Sequence, residues 1–178
     1  MIDLRNKALP DTIIVDGRAF KLKTDYRVWL EFGEKIRDEH CKMADLLFVF
    51  EDDVPTCDFF NELMSFYVNP NVTPNDSCDD DNNTDLVDFI LDGEYIYSSF
   101  MKDYHIDLIN TDMHWYKFKA LFSGLSDDTR IKQIMSMRGY KKSDKKLEQQ
   151  YEELKRVWQL PVRLTPSEQA ILDEFNSL

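Results

Sequence analysis

Apolar side chains recur three and four residues apart in one segment after another, and that spacing confines the chain to a mostly helical fold. Tyr26, Trp29, Leu30, Gly33 and Ile36 form one such stripe, Phe59, Phe60, Leu63, Met64 and Tyr67 a second, and Trp115, Phe118, Leu121 and Phe122 a third. Only 5 Gly and 6 Pro occur in 178 residues, too few for a many-turned all-β fold or for glycine-rich loops that cradle phosphates. Residues 12–23 are the exception: two short β-prone runs flank Asp16-Gly17, a dipeptide suited to the two positive φ angles of a type I′ turn. The expected class is mostly α, an α+β arrangement of a helical domain with a small N-terminal β-hairpin.

Capping residues place the helix ends. Thr24 is expected to open a helix over 25–39, and Thr56 the helix carrying Phe59 to Tyr67. The run 44–50 is too apolar for periodicity to arbitrate and is read as helix. Helical structure from Leu86 to about residue 105 carries a break or a helix boundary at Asp92-Gly93. Asp112 is expected to cap Met113 to Ser123, with Gly124 left-handed behind it. Ser126 opens a helix with Asp127 and Asp128 in its first turn, ending at Arg138-Gly139. Leu147, Tyr151, Leu154 and Trp158 mark another helix, and Thr165-Pro166-Ser167-Glu168 introduces a last one bearing Ile171, Leu172 and Phe175.

The polar run Asn69 to Asp85 offers almost nothing to bury, so it reads as an acidic solvated loop. It divides the chain into 1–68, the hairpin plus helices, and 86–178, a helical C-terminal part, within one compact domain overall. With 22 Lys and Arg against 34 Asp and Glu, a net charge of −12 repels phosphate backbones and anionic lipid. Nucleic-acid and membrane partners are therefore not expected. No run approaches the roughly 18 apolar residues a membrane helix needs, and the N-terminus lacks a signal peptide's apolar region. Cys41, Cys57 and Cys78, odd in number and without a CxxC, read as reduced thiols of a cytosolic protein. In that setting the three sequons between Asn71 and Thr84 are coincidental.

Chemistry-bearing patterns are weak. His40 and Cys41 are adjacent, so on a helix they point about 100° apart and make a poor dyad. His105, Asp107 and His114 are the nearest approach to a metal-ligand set, with no diagnostic spacing. A calcium-loop register from Asp79 fails at Thr84 and Ile90, where Gly and Glu are required. The paired acids Asp52-Asp53 and Asp127-Asp128 acquire acid–base roles only where environment splits them. The expectation is no enzyme: no catalytic residue, cofactor or metal. Two features exceed a plain core. One is the Met and aromatic stripe that includes Phe100, Trp115, Phe118 and Phe122, adaptable enough to cover a partner's amphipathic helix. The other is Arg138 to Arg156, where seven basic residues face four acidic ones. It reads as a solvated, salt-bridged helix face able to engage acidic partners, copies of this chain included.

Three pieces occur in order: Glu94-Tyr-Ile-Tyr-Ser-Ser-Phe-Met-Lys-Asp-Tyr-His-Ile-Asp-Leu108, then Met113-His-Trp-Tyr-Lys-Phe-Lys-Ala-Leu-Phe-Ser-Gly-Leu-Ser-Asp-Asp-Thr-Arg130, then Ile134-Met-Ser-Met-Arg138. They match "IY-x-SF-x-x-x-Y-x-IDL", "HW-x-x-F-x-ALF-x-GL" and "I-M-x-x-R", and with Thr24-Asp25-Tyr26-Arg27 after the hairpin the chain resembles the bacteriophage "gp-fifteen" family of Firmicutes tailed phages and prophages. The likeness spans roughly residues 10–145. His105 stands where the family implies a glycine, and the acidic loop resembles a variable insertion. Members are similar in size and gene position to tail assembly chaperones, lying between the major tail protein and tape measure genes. The resemblance implies a morphogenesis factor in the host cell cytoplasm that binds the tape measure protein and helps recruit the major tail protein. A structural component of the virion, in the tail or head–tail connection, is the alternative. Trp115, Phe118, Leu121, Phe122 and Phe100 are the candidate residues for partner contact.

Overall fold

The computed structural model describes residues 4–6, 8–68, 86–139 and 148–161. The N-terminal ribbon pairs β1 (Thr12–Val15) antiparallel with β2 (Arg18–Lys21), Ile13 facing Phe20 and Val15 facing Arg18. Asp16 at φ 49° and Gly17 at φ 78° supply the two left-handed residues that the Asp-Gly pair predicts. Ile13, Val15 and Phe20 turn inward, so the hairpin is stabilised by the helices it packs on.

Six α-helices and one 3₁₀ helix follow among the described residues: α1 (Tyr26–Lys35), the 3₁₀ segment Met43–Val49, α2 (Phe60–Val68), α3 (Gly93–Tyr104), α4 (Trp115–Ser123), α5 (Arg130–Arg138) and α6 (Glu148–Trp158). The α+β class is thus as expected. Pairwise, α1 packs on α4 and on the 3₁₀ segment, α2 on β1, α3 on α5, and α5 on α6. Trp29, Phe32, Leu22, Leu63, Phe100, Phe118 and Ile131 fill one continuous core. Gly33 of α1 leaves room for Tyr67 of α2, because any Cβ there would press into the hydroxyl end of Tyr67, whose ring stacks on Trp115 at 5.3 Å.

Several helix ends differ from expectation. Asp25, not Thr24, caps α1, its carboxylate accepting the Arg27 N–H at 3.0 Å, and the helix stops at Lys35 rather than 39. Thr24 instead presents its carbonyl to the Trp115 N–H at 2.7 Å. The 44–50 run is 3₁₀ rather than α. Phe60 begins α2 with its N–H on Asp58, not Thr56. Residues 86–92 are non-helical, with a turn over 89–92, so Asp92-Gly93 is where α3 starts, not an interruption. His114, not Asp112, caps α4, and Gly124 sits at φ −82° rather than left-handed. The stretch opened by Ser126 is a turn in which Ser126 bonds Asp103, and α5 begins only after Thr129. Its end at Arg138-Gly139 is as expected.

The segment read as uniformly solvated is not. Arg138, at its start, is buried and paired to buried Asp92, at 2.5 Å and 2.8 Å to the two carboxylate oxygens. The same guanidinium donates to the Leu86 and Trp158 carbonyls, which ties α5 to the entry of α3 and to the end of α6. The 69–85 loop and the helix expected over 165–175 lie outside the described residues. Among the described residues no helix is long and apolar enough to cross a membrane.

Candidate functional site

Where the pieces of the sequence pattern meet, they build a clamp. Met113 and Trp115 of one piece exchange backbone hydrogen bonds with Tyr26 and Thr24 of another, 2.9 Å and 2.7 Å long. The Tyr26 hydroxyl donates to the Leu108 carbonyl at 2.7 Å. Burial raises the phenol pKa, which keeps it a donor. Arg27 extends the same grip: one guanidinium nitrogen donates to the carbonyls of Leu108, Ile109 and Thr111, and the other pairs with Asp25 and reaches Asp112. A planar fork that satisfies several fixed acceptors together holds the 108–112 turn in one position.

That turn is one wall of an apolar cleft of about 520 Å³. Leu30 of α1, Ile96 and Tyr97 of α3, Phe89 and Phe118 form the remaining walls, with Arg27 and Glu94 the charged residues of the lining. One lining residue is itself strongly exposed: Ile109 is 72% accessible. Ile90 at 68% and Leu91 at 55%, which follow Phe89 in the chain, are exposed as well. An apolar cleft with such a residue in its wall is a candidate contact surface.

Phe118 is the hub beneath the cleft. Its ring stacks within 10° of Tyr26 and within 7° of Phe100, at 4.6 Å and 5.4 Å between centroids, and it also meets Trp115, Phe122 and Phe89. Of the five residues singled out for partner contact, the structure places Phe118 in the cleft lining and buries Phe100 and Trp115 in the core. Leu121 and Phe122 are half-buried against that core. Trp115 donates its indole N–H to the Tyr67 carbonyl at 3.0 Å. Lys119 donates to the same carbonyl and lies 4.9 Å from the Trp115 ring centroid. Burial pushes its amine down to about 8.

The sequence missed Ile109, since an isolated apolar residue in a turn carries no periodicity, and it placed Ile90 and Leu91 within helical structure where they form a turn. The one available signal for Ile109 was its presence in an otherwise polar turn, Ile109-Asn-Thr-Asp. The histidines do not converge on a metal. His105 bonds its ring Nδ1 to the Met101 carbonyl at the end of α3, whereas His114 lies between the Pro10 carbonyl at Nε2 and the Tyr116 N–H at Nδ1. No group of three metal-ligating side chains forms among the described residues. Exposed Cys57 and half-buried Cys41 both have thiol pKa values raised, Cys57 chiefly by its bond to Asp16 and Cys41 chiefly by burial, the opposite of a reactive thiolate. His105 has φ 54°, a left-handed cap with its N–H on the Met101 and Phe100 carbonyls. The glycine implied there by the resemblance has its physical reason in that angle.

A family model described as Bacteriophage Gp15 protein matches residues 6–160. No curated protein and no solved structure matches the chain.

Proposed function

This chain belongs to the bacteriophage Gp15 family, and from that membership we propose that it is a non-enzymatic tail assembly chaperone acting in the host cell cytoplasm. Its partner is the tape measure protein, with the major tail protein as a second contact. The observation that supports the reading is the apolar cleft with exposed Ile109 in its wall. A surface of that kind is costly to leave in water and is retained where it meets another chain.

The mechanism follows from what the surface can do. A long helical partner with an apolar stripe aggregates unless the stripe is covered. Aromatic and aliphatic walls cover it without demanding one side-chain shape, and a net charge of −12 on each bound copy keeps the complex dispersed. Release needs no chemistry: packing of tail subunits against the same stripe displaces the chaperone by mass action. The test is co-expression of this chain with the tape measure protein. The soluble yield of the tape measure protein is expected to rise, and the chain to be missing from purified particles by mass spectrometry. Stoichiometric retention in particles, with no effect on solubility, overturns the reading in favour of a structural component.

A further inference from the structure

Charge decides what the cleft can take. Arg27 is its basic residue, and that charge is already paired with Asp25 at 3.0 Å and approached by Asp112 at 3.4 Å. The carboxylates are in excess. Glu94 lines the cleft, Asp112 is almost wholly exposed, and Asp107 lies next to the wall, held by Asn110 and by the hydroxyl of Tyr97. Those bonds lower the Asp107 pKa and keep its charge in place at neutral pH. The result is an apolar slot inside a negative rim.

We infer that the cleft between α1, α3 and the 108–112 turn seats one amphipathic helix of a partner whose apolar side chains are flanked by lysine or arginine. The inference rests on the chaperone reading for the partner's class and adds the place, the fold and the charge of what is bound. Two other occupants carry the wrong sign. Residues 162–178 of this chain hold Ile171, Leu172 and Phe175, yet they also bring Glu168, Asp173 and Glu174 against Arg163 alone. A second copy docked cleft to cleft would set one acidic rim against another. Opposite charge at a rim chiefly sets partner choice and association rate, while the buried apolar contacts set the lifetime of the complex.

The test titrates the full chain with two synthetic helical peptides of about 18 residues. They share a leucine stripe and differ only in lysine or glutamate flanks. The lysine peptide is expected to bind about tenfold more tightly at low salt, with the gap closing at high salt. Ile109→Asp, at an exposed turn position that leaves the fold intact, is expected to weaken both peptides about tenfold. Glu94→Lys, at the exposed start of α3, is expected to narrow the preference several-fold. Equal binding of the two peptides, or a preference unmoved by Glu94→Lys, overturns the inference. So does the absence of binding together with a dimer mass that Ile109→Asp abolishes, or binding gained only on removal of residues 162–178. Repeating the titration with segments of the tape measure protein separates the two readings. Capture that Ile109→Asp and Glu94→Lys leave unchanged sinks the cleft and spares the chaperone, whereas peptide binding without capture of any segment does the reverse.

Discussion

Replacing Arg138 with methionine is expected to destabilise the protein by about 3–5 kcal/mol, the usual cost of removing one partner from a buried ion pair. The magnitude follows from its surroundings. The Arg138 and Asp92 side chains are 6% and 3% exposed, so the carboxylate left behind cannot recover its hydration. Removing the guanidinium also leaves the half-buried Leu86 and Trp158 carbonyls without that donor, which costs less than the about 1–3 kcal/mol of a fully buried orphan because water reaches them. Urea unfolding followed by circular dichroism measures the total. Tryptophan emission reports the local event, because Trp158 sits under Arg130 and edge-on to Tyr95. The double variant Arg138→Met with Asp92→Asn removes the stranded charge and is expected to recover about 1–2 kcal/mol relative to Arg138→Met alone. An Arg138→Met protein within 1 kcal/mol of the parent, on the scale where surface changes fall, or costs that simply add in the double variant, would refute the reasoning.

Three further outcomes are expected. Gly33→Ala presses a methyl into Tyr67, whose ring is held by Trp115, Phe32 and Trp29, so thermal unfolding should show a loss of about 1–3 kcal/mol; an unchanged transition would mean Tyr67 is free to move. His105→Gly relieves the left-handed strain but forfeits the ring bond to Met101, and calorimetry should find a net gain of about 0.5 kcal/mol, with a loss counting against the strain argument. Burial lowers the His114 pKa, so between the folded and unfolded values the unfolded chain binds more protons. Stability should therefore fall as pH drops below about 6.5, and His114→Asn, which keeps a capping side chain, should flatten that slope in melts taken between neutral and mildly acidic pH.

What could be read in advance follows from how local the determinants are. The hairpin turn was legible because Asp16-Gly17 fixes its own backbone angles, and the α4 stripe because Trp115, Phe118 and Phe122 repeat at the helical period. Helix starts were less so. Thr24 and Asp25 are neighbouring cappers, and only the bond from the Trp115 N–H to the Thr24 carbonyl decides between them. At α4, Asp112 is the better capper by type, yet His114 holds the position because its ring is anchored to Pro10 across the fold. Arg138 was misplaced for the same reason, since its partner is 46 residues away. The cleft rim was the least legible: Ile109 becomes part of a surface only after Arg27 has drawn its turn against α1.

The clamp that Arg27 makes on the 108–112 turn closes a loop of the chain 81 to 85 residues around. Closure entropy grows only logarithmically with loop size, each doubling costing about 0.6 kcal/mol, so a few residues added to or taken from the stretch 69–85 would change stability by a small fraction of that. The clamp therefore frees this stretch from any length requirement. By the same arithmetic, insertions of different length there leave the balance of the core almost unchanged, so the stretch between Asn69 and Asp85 is a suitable place for a fluorophore or affinity tag with which to follow the protein.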